Sequence, residues 1–147
     1  MTCSDGGPEL PLSRRMASER ALKDRVEFEA GEGRPHVVVR ATRLGNDLVV
    51  YIFNKNAHLG AVAIGEWNSE HHRASVSVHT RPGHKDDAVA QAAAHAICKS
   101  TRSPVCVIAG IHLQEITSEE IKQVLSNVEI AVGRLVDYLS RGADPLL

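Results

Sequence analysis

The loop Pro82-Gly83-His84-Lys85-Asp86-Asp87 concentrates more chemistry than any other stretch of this chain. Glycine lets another group approach the backbone, and the Ala-rich run that follows opens a helix whose first N–H groups are unpaired and partly positive. His84 and Lys85 add cationic donors. Together these features suit a phosphate or a carboxylate. The adjacent aspartates oppose that unless a cation bridges them or they face away. A plainer alternative stays open, in which the loop is a tight turn into a helix capped by Asp86 or Asp87.

Eight histidines accompany this loop, and several fall at the ends of expected elements. His58, in His58-Leu59-Gly60-Ala61-Val62, precedes one β-rich run, His79 ends the next, His84 precedes the helix, and His112 follows an apolar run through Gly110-Ile111. Imidazole donates or accepts a hydrogen bond, ligates a divalent metal or carries charge near neutral pH, so convergence of these residues would suit an anionic or metal-bound ligand. No H-x-H or H-x-x-x-H spacing supports a metal locally, and ordinary hydrogen-bonded loop histidines are the alternative for each. His36, His71 and His72 read as surface residues, and His95 as a packing or surface residue of the helix. Gly110 is a position where a ligand could reach the backbone with His112 beside it, although it could equally just end its strand.

Nucleophilic chemistry has little footing. Cys98 lies in a helical pattern and Cys106 in an apolar strand, where thiols are inert packing. No serine sits on a Gly-x-Ser-x-Gly elbow. Asp86-Asp87 and Glu119-Glu120 are neighbours, which on a helix point about 100° apart and cannot work as an acid/base couple.

The elements that must position these groups are legible in the pattern. Arg25 to Glu29 alternates like a short edge strand. His36 to Arg43 and Asp47 to Phe53 form a hairpin across Leu44-Gly45-Asn46, with Val37, Val39 and Ala41 on one face. Leu59 to Trp67 and Arg73 to Thr80 follow, the latter with Ser75, Ser77 and His79 on a polar side. A helix is expected from Asp86 to about Lys99. Pro104 to Ala109 is a continuous apolar segment expected to be a central strand buried on both faces. Thr117 and Glu120 form a capping box ahead of a stripe of Ile121, Val124, Leu125, Val128, Val132, Leu135, Val136 and Leu139, ending at Arg141 before Gly142. This order indicates an α+β fold: an antiparallel β-meander with two long helices packed on the sheet, in a single two-layer domain over residues 24–147. Residues 1–23 read as a flexible N-terminal tail. No strand leads into GxGxxG or GxxxxGKS, which disfavours a doubly wound nucleotide-binding fold.

Composition narrows the partners. With 17 basic and 18 acidic residues the net charge is −1, so no global field draws the chain to nucleic acid or an anionic membrane. Three cysteines, Cys3, Cys98 and Cys106, in no ligand spacing, together with the lack of a signal-like apolar N-terminus, point to a reducing, cytoplasmic setting. Aromatic residues make up only 3% of the chain, so a flat conjugated ligand would find few rings, chiefly Trp67, Tyr51 and Phe53. It would rest on backbone and aliphatic surfaces.

Three motifs in one order, His58-Leu59-Gly60-Ala61-Val62, Pro82-Gly83-His84-Lys85-Asp86-Asp87, and Ala109-Gly110-Ile111-His112 followed by Ile116-Thr117-Ser118-Glu119-Glu120-Ile121, resemble the small accessory proteins of the LpdD type. These are encoded with gallate-type decarboxylases and described as prenylated-flavin chaperones. The likeness spans roughly Pro35 to Tyr138, and the wider fold resembles the proteasome assembly chaperone domain. The resemblance implies an accessory cofactor chaperone rather than an enzyme, a homodimer that binds prenylated FMN, or FMN, and delivers it to a UbiD-type aromatic acid decarboxylase or helps mature it. It implies cofactor contacts at His58, Gly60, Pro82, Gly83, His84, Lys85, Asp86, Asp87, Gly110 and His112. A divalent metal held by His84, Asp86, Asp87 and His112 would bridge the ligand phosphate and resolve the repulsion at the loop. Two other readings stand beside it: a metal-dependent decarboxylase subunit with its own catalytic role, using His58, His84 and His112, and a protein-assembly chaperone without a small-molecule ligand.

Overall fold

The computed structural model describes residues 25–141. The tail expected over residues 1–23, with Cys3, and the helix-ending Gly142 lie outside them. Six strands and two helices follow one another: β1 (Arg25–Ala30), β2 (Val37–Leu44), β3 (Asp47–Phe53), β4 (Ala61–Asn68), β5 (Arg73–Thr80), α1 (Asp87–Thr101), β6 (Val105–Gly110) and α2 (Ser118–Ser140). The α+β class, the single open sheet and the two helices are as the sequence predicts.

The sheet order is β1-β2-β3-β6-β4-β5. β1, β2 and β3 form one antiparallel meander and β4 with β5 a hairpin. β6 enters between them, parallel to β3 and antiparallel to β4. Its sequence, Val-Cys-Val-Ile-Ala-Gly, carries no charge, which suits a strand paired on both edges. This insertion places the end of β6 between the end of β3 and the start of β4, with Phe53 opposite Gly110 and Ala61 opposite Ala109.

Alternate residues of the strands, among them Val37, Val39, Val50, Ile52, Ala63, Val105 and Val107, are fully buried under the helices. α1 contributes Ala90, Ala93, Ala94, Ile97 and Cys98, and α2 contributes Val124, Val128, Ala131, Val132 and Leu135. Small side chains bring α1 close to the sheet: a Cβ at Gly65 would meet the Ala94 carbonyl at 3.0 Å. The expectation that β6 is buried on both faces does not hold. Val105, Val107 and Ala109 are covered by the helices, but Cys106 and Ile108 point to the opposite face and are only half-buried. That face carries no helix among the described residues, so apolar character there marks an open surface instead of a second core layer.

The helix starts also differ from expectation. Thr117 caps α2 as predicted, its Oγ1 accepting from the Glu120 amide at 3.1 Å. Asp86 occupies the N-cap position of α1, yet its side chain makes no cap hydrogen bond. The carboxylate is engaged elsewhere, and the first amides of α1 have no side-chain cap.

Candidate functional site

Four chain segments meet at the end of the sheet where β6 stops. The β3–β4 connection crosses the end of β6, with the Gly60 amide donating to the Ala109 carbonyl at 3.0 Å and the Arg81 amide donating to the Gly60 carbonyl at 3.0 Å. The crossing is so close that a Cβ at Gly110 would fall inside the His58 carbonyl, and one at Gly60 would fall inside the Asp86 carboxylate. Glycine is required at Gly110 by the backbone's own approach, and at Gly60 it leaves the space that the Asp86 carboxylate fills.

Two buried polar side chains then fix the segment after β6. Asp86 (6% exposed) accepts the Ile111 amide on Oδ1 at 3.1 Å. Asn54 (4% exposed) holds both backbone groups of His112, its Nδ2 donating to the carbonyl at 2.8 Å and its Oδ1 accepting from the amide at 3.2 Å. They are the buried polar residues among those described, and both clamp the same turn. Asn54 gave no signal in the sequence, since an asparagine after a strand reads as an ordinary turn residue.

On this frame three histidines converge. His58 Nε2 lies 2.9 Å from His84 Nδ1, with the rings 4.6 Å apart, and the His112 ring stands edge-on to His58 at 5.5 Å. His58 Nδ1 lies 3.3 Å from the Asn56 carbonyl, which can only accept. Nδ1 therefore carries a hydrogen, and in the neutral ring the Nε2 lone pair then faces His84. One ligand atom each from His58, His84 and Asp86 falls within 4.8 Å of the others.

Beside the imidazoles opens a pocket of about 300 Å³, lined by His58, Gly83, His84, Lys85, Asp86 and His112 at its polar end and by Val89, Ile116, Ile121, Val124 and Leu125 at its apolar end. Its size is at the small end for ligand clefts. Ile116, Ile121 and Leu125 are 39%, 44% and 47% exposed, so the predicted α2 stripe splits: its middle enters the core and its first turns line this pocket. A second cavity of about 330 Å³ opens on the bare sheet face behind His58, among Arg40, Tyr51, Phe53, Leu59 and Ile108.

Of the residues singled out in the sequence, His58, Gly83, His84, Lys85, Asp86 and His112 line the first pocket, Gly110 lines the second, and Gly60 packs against the Asp86 carboxylate. Pro82 and Asp87 are exposed and line neither cavity. His79 is exposed on β5, His95 is exposed on α1, and His36 pairs with Glu29 at 3.2 Å. Trp67 faces Arg102, whose guanidinium lies 5.5 Å from the ring centroid. Burial pushes the Cys98 thiol up, helped by the charge of Glu66, and burial alone pushes Cys106 up. Neither is an activated nucleophile.

Residues 31–140, well over half of the chain, match the prenylated flavin chaperone LpdD-like domain. Among solved structures, the chain is similar to one in the crystal structure of a novel chaperone complex for yeast 20S proteasome assembly. The TM-score is 0.52 at 16% identity, covering 84% of this chain and 99% of that one. At that identity the likeness is one of fold. No curated protein matches the chain. No helix among the described residues is long and apolar enough to cross a membrane.

Proposed function

We propose that this chain, which belongs to the prenylated flavin chaperone LpdD-like family, binds prenylated FMN, or FMN, in the pocket between the His84 loop and α2 and hands it to a UbiD-type decarboxylase. The observation that carries the reading is the pocket's two-ended chemistry. Its polar end offers Lys85 and the imidazoles beside the N-terminus of α1, a combination that favours a phosphate. Its other end is aliphatic, which suits an isoprenoid-bearing ring in a chain with few aromatic side chains. The ligand would exceed the pocket and extend over the half-exposed Ile116, Ile121 and Leu125. A carrier site of this kind binds and releases and performs no bond cleavage. The bare sheet face with Tyr51, Phe53 and Ile108 is the surface we assign to pairing of two copies.

Titration calorimetry with the flavin nucleotide tests the pocket. Leu125→Glu places a charge on its apolar wall and Lys85→Ala removes a phosphate donor; both positions are solvent-facing, so the fold is expected to survive. Each should weaken binding at least tenfold, while Tyr51→Ala, in the other cavity, should leave it within twofold. Unchanged binding in Leu125→Glu, or loss only in Tyr51→Ala, would remove the assignment. Native mass spectrometry reports the dimer, and transfer to apo-decarboxylase reports delivery.

A further inference from the structure

The structure assigns His58, His84 and Asp86 as a binding site for a divalent first-row transition metal ion, with open coordination positions facing the pocket. The inference does not depend on the flavin reading. Two imidazole nitrogens and one carboxylate form the ligand set that iron, cobalt, manganese and zinc accept while keeping positions free for an exogenous ligand.

Three observations converge on it. The first is spacing. At metal–nitrogen distances of about 2.0–2.1 Å, two ligand nitrogens at right angles are about 2.9 Å apart. That is the separation of His58 Nε2 and His84 Nδ1, and the Asp86 carboxylate completes a group whose atoms lie within 4.8 Å of one another.

The second is the tautomer. His58 donates its Nδ1 hydrogen to the Asn56 carbonyl, the outer contact that metal-bound imidazoles make, which in the neutral ring aims the Nε2 lone pair into the group. The third is Asp86 itself. It is 6% exposed, its carboxylate receives one hydrogen bond, from the Ile111 amide, and it forms no ion pair with any described cation. A buried carboxylate so sparsely supported is stabilised by a nearby cation, and the two imidazoles are placed to hold one.

The order His84-Lys85-Asp86 supplies two of the ligands from one turn, and the β3–β4 crossing delivers the third. His112 lies outside the group, edge-on to His58, and Asp87 points away on α1. The alternative is a simple His58–His84 hydrogen bond beside a structural Asp86, which the same geometry would also satisfy without any ion.

Cobalt(II) added to the full chain, with no flavin present, separates the two. Calorimetry should show one ion bound at micromolar or tighter affinity, and visible absorption should show ligand-field bands. His58→Ala and His84→Ala should each weaken binding at least tenfold. Asp86→Asn, which keeps an acceptor for the Ile111 amide, should do the same with the circular dichroism spectrum intact. His71→Ala/His72→Ala, on the exposed β4–β5 turn, should leave binding within twofold. The assignment is overturned if wild type shows no ligand-field bands, or if both single histidine variants bind within twofold of wild type. Since flavin is absent throughout, a failed metal site leaves the flavin proposal standing, and the reverse also holds.

Discussion

Removing the Asn54 side chain tests whether the turn after β6 is held as described. Asn54→Ala deletes two hydrogen bonds, to the His112 amide and carbonyl, from a side chain that is 4% exposed. At about 0.5–1.5 kcal/mol net for each, the expected loss is about 1–3 kcal/mol. His112 lies at the surface, so water can re-solvate its backbone, which keeps the loss in that range and not above it. For a chain of this length the melting temperature should fall by about 3–12 °C, at about 3–4 °C per kcal/mol. Urea unfolding gives the free energy directly. Asn54→Asp sharpens the test, because it preserves the acceptor facing the His112 amide but sets a second oxygen against the His112 carbonyl, where Nδ2 donated at 2.8 Å. At neutral pH it should be less stable than Asn54→Ala despite its near-identical shape. Burial and the opposing carbonyl raise the folded-state pKa of that new carboxyl above its unfolded value. Its stabilising, protonated form is therefore favoured as pH falls toward about 4 and lost as pH rises through the raised value. The clamp is wrong if Asn54→Ala stays within about 0.5 kcal/mol of wild type, or if Asn54→Asp is the more stable variant at pH 7.

Two further outcomes follow from the packing around the site and the core. Gly110→Ala drives a methyl into the His58 carbonyl and should cost about 1–3 kcal/mol or more by overpacking, whereas Gly133→Ala, inside α2 with nothing within 4 Å, should stabilise by about 0.5–1 kcal/mol; thermal melts of the pair would refute the close crossing if Gly110→Ala were neutral. In a Cys3→Ser background, Cys98, buried beneath the sheet and with a raised pKa, should alkylate far more slowly at pH 8 in the native state than in urea, and more slowly than Cys106, which faces the open side of the sheet. Because burial favours their neutral form, their contribution to stability is complete below the ordinary thiol pKa of about 8.5 and declines as pH rises through the raised values. Rapid native alkylation of Cys98 would contradict its burial.

Much of the framework was legible because it rests on local periodicity. Val37, Val39 and Ala41 alternate and are all buried, and Thr117 with Glu120 marks the start of α2 within one residue. Strand order was not legible. β6 follows α1 in the chain yet pairs between β3 and β4, and no local pattern states which edge an apolar strand will join. Cys106 and Ile108 misled for a related reason, since an apolar side chain facing an open sheet surface has the same sequence signature as one under a helix. Within the site, His58, His84 and His112 were recognisable by type. Their meeting depends on the 54–60 connection crossing the end of β6, which only the three-dimensional pairing sets.

The same crossing explains why Asp86 departs from its expected role. A helix-opening aspartate ordinarily turns its carboxylate back onto the first amides of its own helix. Here the Gly60 backbone, drawn in by its bond to Ala109, leaves room for that carboxylate beneath the imidazoles, and the Ile111 amide supplies a competing donor. One rotation of one side chain thus has two consequences. It tethers the turn that carries His112, and it leaves the first amides of α1 without a side-chain cap. A side chain at residue 60 larger than glycine would displace the carboxylate and lose both together. That coupling ties the short motifs at 58–62, 82–87 and 109–112 into a single physical unit, although in sequence they are three separate loops.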